Sequence, residues 1–180
     1  GGVMNNVSSS MGGSASRAAV TATVGYMCIA LLTWALSMTN AGWFGGVFAR
    51  GASLLAPLSV ILAIVGILAF VSERTLDAVV FLGGAGMFWG DHAYVAAAGG
   101  AIAAPAGYDG WIAFIWAVYF FYVWLGARRA DPLRVLFLLA LWLTLLGLAL
   151  GHWATHALGM VGGYLGLVAA ILAALISASA

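Results

Sequence analysis

Apolar positions in this chain neither alternate nor follow a single helical stripe. They run on for about twenty residues at a time, apolar on every side, as in helices whose solvent is lipid. Six such runs predict six spanning helices: Thr21–Thr39, Ala52–Val71, Ala78–Ala98, Gly110–Gly126, Pro132–Gly151 and Ala157–Ser177. The third is the least uniform, because Asp91 and His92 interrupt it. Pro57 falls in the second turn of its helix, and Pro132 opens the fifth, where a missing N–H costs nothing. Pro105 belongs to the connecting stretch "GGAIAAPAGYDG". Residues 1–19, rich in Gly, Ser and Asn, read as a flexible tail without the basic start or cleavage site of a signal peptide. Residues 20–180 form the six-helix transmembrane domain. The expected fold class is therefore an all-α integral membrane protein, a compact bundle in the lipid bilayer.

Composition supports lipid as the solvent. Of 180 residues, 65% are hydrophobic and only 6% charged, and the mean hydropathy is +1.12. A formal net charge of +1 gives no basic stripe for nucleic acid. All six cations are arginine, so no lysine can form a retinal Schiff base. The single cysteine, Cys28, lies in an apolar run and reads as a small buried hydrophobe. No nucleophile elbow, zinc-protease motif or phosphate-binding loop occurs, and "RGAS" (Arg50–Ser53) only faintly echoes a serine-protease motif. The expectation is a non-enzyme without cofactor or metal.

Charge placement predicts orientation. With six spans, Arg17, Arg74, Arg128, Arg129 and Arg134 share one side, and only Arg50 falls on the other. The positive-inside rule then puts both termini in the cytoplasm and the protein in the inner cell membrane. "ARRADPLR" reads as a topology signal, with Asp131 as a local counter-charge. Trp43, Trp111 and Trp153 become outer interfacial anchors, and Trp124 an inner one. Glycines at four-residue spacing, Gly42/Gly46, Gly86/Gly90, Gly147/Gly151, Gly159/Gly163 and Gly162/Gly166, predict close helix packing.

The few polar residues inside the spans carry the functional question. Asp91 lies fourteen residues beyond Asp77, about 21 Å along a helix, so it sits either at the outer interface or in a pore vestibule. His152 and His156 are four apart and would share a helical face. That pair reads as interfacial packing, as a pore-mouth group with His92, or as a metal or haem pair. Glu73 and Asp77 suit a helix amino terminus, with a pore entrance as the alternative reading. Thr33, Ser37, Asn40, Thr144 and Trp89 either line a narrow polar path or, for the threonines, bond back to their own helix.

Four stretches carry a resemblance. They are "TNAGWF" (Thr39–Phe44), "TLDAVVFLGGAGMFW" (Thr75–Trp89), "LGARR" (Leu125–Arg129) with the later "LALGH" (Leu148–His152), and "GGYLGL" (Gly162–Leu167). In this order the chain resembles the succinate–acetate permease family of acetate uptake transporters, over roughly Val20 to Ala174. The resemblance implies six helices per protomer, a homo-hexamer, and a pore within each protomer for acetate, succinate or another small carboxylate. It places a narrow apolar constriction at Ile29, Ala85 and Leu141. It makes Thr33, Asn40, Phe88 and Trp89 pore-lining or substrate-contacting, and sets Asp91 and His152 at the outer mouth. This sequence departs from the family in three places, the first being His152, which stands where the family has an Asn after the fifth helix. "VTATVGY" (Val20–Tyr26) stands where the family has N-P-A-P-L-G-L, and Ala85 stands where an aromatic is usual, which predicts a wider or differently closed pore.

Three functions follow as expectations. The first is a channel-like transporter of a small monocarboxylate. The second is a channel for a neutral solute such as urea or a short amide. The third is a non-conducting structural membrane subunit.

Overall fold

A computed structural model describes residues 2–43, 52–97 and 107–180. Arg50 and Pro105, with Phe44 and Gly46, lie outside the described residues. So does the start of "RGAS". Six helices make up the described chain: α1 (Gly2–Asn40), α2 (Ala52–Val71), α3 (Thr75–Ala97), α4 (Tyr108–Gly126), α5 (Pro132–Trp153) and α6 (His156–Ser179). A short 3-10 turn, Ala127–Arg129, follows α4. Five segments are long and apolar enough to cross a membrane: Ser16–Asn40, Leu54–Val71, Tyr108–Arg129, Pro132–Trp153 and His156–Ser179. The helix left out is α3, which carries Asp77, Asp91 and His92. α1 runs without a break from Gly2, so the stretch expected as a tail continues the first helix.

Helix ends follow local chemistry. The α2–α3 turn closes with Glu73 N–H to the Phe70 carbonyl (3.1 Å) and Arg74 N–H to the Ala69 carbonyl (2.9 Å). This paired closure puts residue 73 in the left-handed region, and Glu73 has φ 60°. Glu73 therefore terminates α2 and does not cap α3 as its charge suggested. At α5, Asp131 is the N-cap: its carboxylate accepts from the Arg134 backbone N–H at 3.1 Å, and Pro132 follows.

The glycine pattern separates into two kinds. Along α5 and α6 it is a true seam. A Cβ on Gly147 would come within 2.8 Å of the Gly162 Cα, and Gly151 faces Gly159 as closely. Gly163 packs directly on the backbone of Asn40 and Ala41. Gly86 and Gly90 form no such seam, because Gly86 would meet only Trp116 at an ordinary 3.5 Å and Gly90 has open space beside it. The core draws on all six helices, with Leu62, Ala69, Phe81, Phe120, Phe137 and Ala169 at 0–1% exposure.

Candidate functional site

α1, α3 and α5 run in one direction and meet through their side chains, and polar residues gather at both of their ends. At one end lie Asp77, Arg74 and Arg134; at the other lie Asp91 and His152. These are termed the arginine end and the aspartate end.

A cavity of about 550 Å³ opens at the aspartate end, within the size range of small-molecule sites. Of the residues expected at the pore, Thr33, Asn40, Phe88, Asp91, Leu141 and His152 all line it. α1 supplies Thr33 and Asn40, one face apart by seven residues or two turns. Ile29 and Ala85 are not in its wall. They are 2% and 5% exposed, one turn further toward the arginine end, where Ile29 packs against α3 near Gly84. Trp89 lies outside the cavity: it is 48% exposed on another face of α3 and packs on His92 at 5.6 Å between ring centroids. His92 is also absent from the lining. His152 and His156 do not share a helix, because the chain breaks at Ala154–Thr155. Among the described residues no group of three or more His, Cys, Asp or Glu could hold a metal ion.

The two buried threonines resolve differently. Thr144 Oγ1 donates to the Ala140 carbonyl of its own helix at 2.7 Å, which satisfies it locally. Thr33 Oγ1 has no partner at all, although Thr33 is only 5% exposed. Burial without a partner costs on the order of 1–3 kcal/mol. A solute with a matching donor or acceptor in the cavity would recover that cost.

The sequence reading overlooked Asp109. It lies in the first turn of α4 and lines the cavity beside Tyr94, Tyr108 and Asp91. Its signal was the start of a helix after a Gly/Pro stretch, where an acidic residue matches the helix dipole. The charged or titratable lining at this end is thus two aspartates, one histidine and two tyrosines, and no arginine among the described residues. A lining of this charge is electrostatically unfavourable for a free carboxylate.

At the arginine end the polar groups are interlocked. Tyr26 of α1 donates its hydroxyl to Asp77 Oδ1 at 2.9 Å. Arg134 Nε lies 3.2 Å from the Tyr26 oxygen and 3.3 Å from Asp77 Oδ1, and its guanidinium stands 5.4 Å over the Tyr26 ring. Arg74 pairs with Asp77 Oδ2 and donates to the Ala18 carbonyl. Arg134 also pairs with Asp131. Desolvation raises the Asp131 carboxyl, but hydrogen bonds from the Arg134 side chain and backbone outweigh it and hold the group below the usual carboxylate range. The tryptophans expected as anchors pack locally. Trp153 donates to the Gly107 carbonyl at 3.1 Å and packs on Trp111, Trp43 packs on Tyr164, and Arg128 stands over Trp124.

The chain has the fold of a bacterial channel. It is similar to the bacterial acetate channel SatP, with a TM-score of 0.78 and 18% sequence identity over 88% of this chain and 90% of that one. No protein-family model matches the chain, and no curated protein matches it in sequence.

Proposed function

We propose that this protein is a channel-like membrane transporter for acetate or another small monocarboxylate, with one pathway through each protomer. In this reading α3 is the sixth span. At 23 residues it is about 35 Å long, enough to cross a core of about 30 Å. Both termini and the arginine end face the cytoplasm by the positive-inside rule, in the inner cell membrane of the cell, and the protomers assemble as a homo-oligomer, a hexamer by the family resemblance.

The observation that carries the reading is the unpartnered Thr33 hydroxyl at the floor of a cavity in a fold shared with an acetate channel. A carboxylate moving through an apolar neck must either be protonated or have its water replaced by donors. The aspartates at the mouth favour the protonated route: the acid enters neutral, meets Thr33, and passes Ile29, Ala85 and Leu141.

Labelled acetate uptake into proteoliposomes with an alkaline interior tests this. Saturable uptake that collapses with the pH gradient is expected. Folded, oligomeric protein that takes up no acetate would overturn it. The same acidic mouth favours a second reading, a channel for urea or a short amide. Stopped-flow swelling in urea against acetate separates the two.

A further inference from the structure

Ile29, Ala85 and Leu141 are the neck that the sequence suggests, yet Ala85 is too small to close it. The aromatic closure lies elsewhere. Stepping one turn toward the arginine end on each of the same three helices gives Tyr26, Phe81 and Phe137, three or four residues before Ile29, Ala85 and Leu141. All three are 0–1% exposed. The Tyr26 ring meets Phe81 at 5.0 Å and Phe137 at 5.8 Å, both edge to face. Gly25 makes the arrangement possible, because a Cβ there would run into the Phe81 ring.

We propose that Tyr26, Phe81 and Phe137 form the gate of the pathway, and that Asp77 and Arg134 latch it shut through the Tyr26 hydroxyl. The inference rests on the pathway proposed above and moves its closure from the expected neck to this aromatic layer. Three features carry it. The layer lies on three of the four helices that carry the cavity wall, α1, α3 and α5, with α4 as the fourth. It separates that cavity from a second, open pocket of about 370 Å³ lined by Arg74, Asp77, Asp131 and Arg134. Its one polar member is tied to charged groups from both other helices, Asp77 of α3 and Arg134 of α5. Turning the Tyr26 ring aside therefore requires breaking those bonds, whereas Phe81 and Phe137 are held by packing alone. The cavity above ends blind while the latch holds, and joins the lower pocket when it opens.

Access of a small, charged, membrane-impermeant thiol reagent to a cysteine at position 85 tests this without reference to any solute. The parent is the full chain carrying Cys28→Ser and Ala85→Cys, reconstituted in vesicles of known orientation. From the arginine end the reagent must pass the aromatic layer; from the aspartate end it need not. Tyr26→Phe keeps the ring and removes the latch, so labelling from the arginine end should rise by about tenfold or more, the equilibrium worth of a hydrogen bond to a charged group. Phe81→Ala should raise it further, with Phe81→Leu as the milder variant if the alanine does not fold. Labelling from the aspartate end should stay at the parent rate in each.

Unchanged labelling from the arginine end in folded Tyr26→Phe and Phe81→Leu would overturn the gate. So would a rise from both ends alike, which means general loosening. Absence of acetate uptake alongside the expected labelling would sink the choice of solute and leave the gate standing.

Discussion

The two ends of α1, α3 and α5 hold similar inventories of polar residues in opposite states. At the arginine end the buried charged groups and the tyrosine are partnered: Tyr26, Asp77, Arg74 and Arg134 bond to one another across three helices, and the unpartnered group there is the Trp124 indole N–H. At the aspartate end Thr33 and Thr39 hydroxyls have none, and Asp91 and Asp109 face open cavity. Buried polar groups are normally satisfied, so the first end is doing what a fold requires of it. The second leaves its cost unrecovered, which is why the proposed pathway is placed there. Position alone would not distinguish them; satisfaction does.

The largest test of this contrast is Asp77→Asn. It leaves the Arg74 and Arg134 cations facing a neutral amide. Removing one partner of a buried pair costs about 3–5 kcal/mol. Both arginine side chains are about a quarter exposed (24% and 25%), so water screens them and the lower figure, about 3 kcal/mol, is expected. Thermal unfolding in detergent should show a clear fall in Tm. The matching change at the other end, Asp91→Asn, breaks no ion pair seen in the structure and should leave Tm within the usual surface range, about 0.5 kcal/mol. A larger fall for Asp91→Asn than for Asp77→Asn would invert the contrast.

Thr33→Val is the sharper test, since it separates stability from transport. Replacing an unpartnered buried hydroxyl with a methyl of the same shape removes a desolvation cost, so the protein should gain about 1 kcal/mol. Acetate uptake should meanwhile fall several-fold, by the worth of one hydrogen bond. Thr144→Val removes a hydroxyl already satisfied by Ala140 and should change uptake little. Equal losses of uptake in the two variants would mean that partnering does not mark the pathway.

Much of this contrast could be read before folding, and the part that could not has a physical cause. Helix positions were legible because the apolar runs are long: α2 begins and ends at Ala52 and Val71 as expected, and Asp131–Pro132 announces α5. Thr33, Asn40, Asp91 and His152 were legible as polar exceptions in apolar spans. The latch was not. Tyr26 and Asp77 are 51 residues apart and Tyr26 and Arg134 are 108 apart, so their meeting depends on how three helices pack. Local spacing misled in two places. His152 and His156 have helical spacing, but Ala154 and Thr155 end one helix and start another. Gly86 and Gly90 have seam spacing, but no backbone faces them. Asp109 was hidden by the Gly/Pro stretch before it.

A smaller test concerns the turn that presents Asp77 to the latch. Glu73 holds φ 60° between α2 and α3, where an L-residue is strained by about 1 kcal/mol and glycine is not. Glu73→Gly should raise stability by about that amount, seen as a small increase in Tm, and leave labelling at position 85 unchanged. A decrease would show that the Glu73 carboxylate makes a contact worth more than the backbone strain.

The smallest effect is a pH dependence at the arginine end. Asp131 is held below the usual carboxylate range by Arg134, so its folded pKa is lower than its unfolded value of about 3.9. Such a group adds stability above the unfolded pKa and loses it as pH falls through the folded one. Tm should therefore hold steady from neutral pH to about pH 4 and decline below, where Asp131 accepts a proton. The side chain is 42% exposed, so solvent screening keeps the decline shallow. Asp131→Asn keeps an N-cap acceptor for the Arg134 N–H but cannot titrate, and should flatten that part of the profile. If the variant declines as steeply as the parent, the acid sensitivity does not come from Asp131.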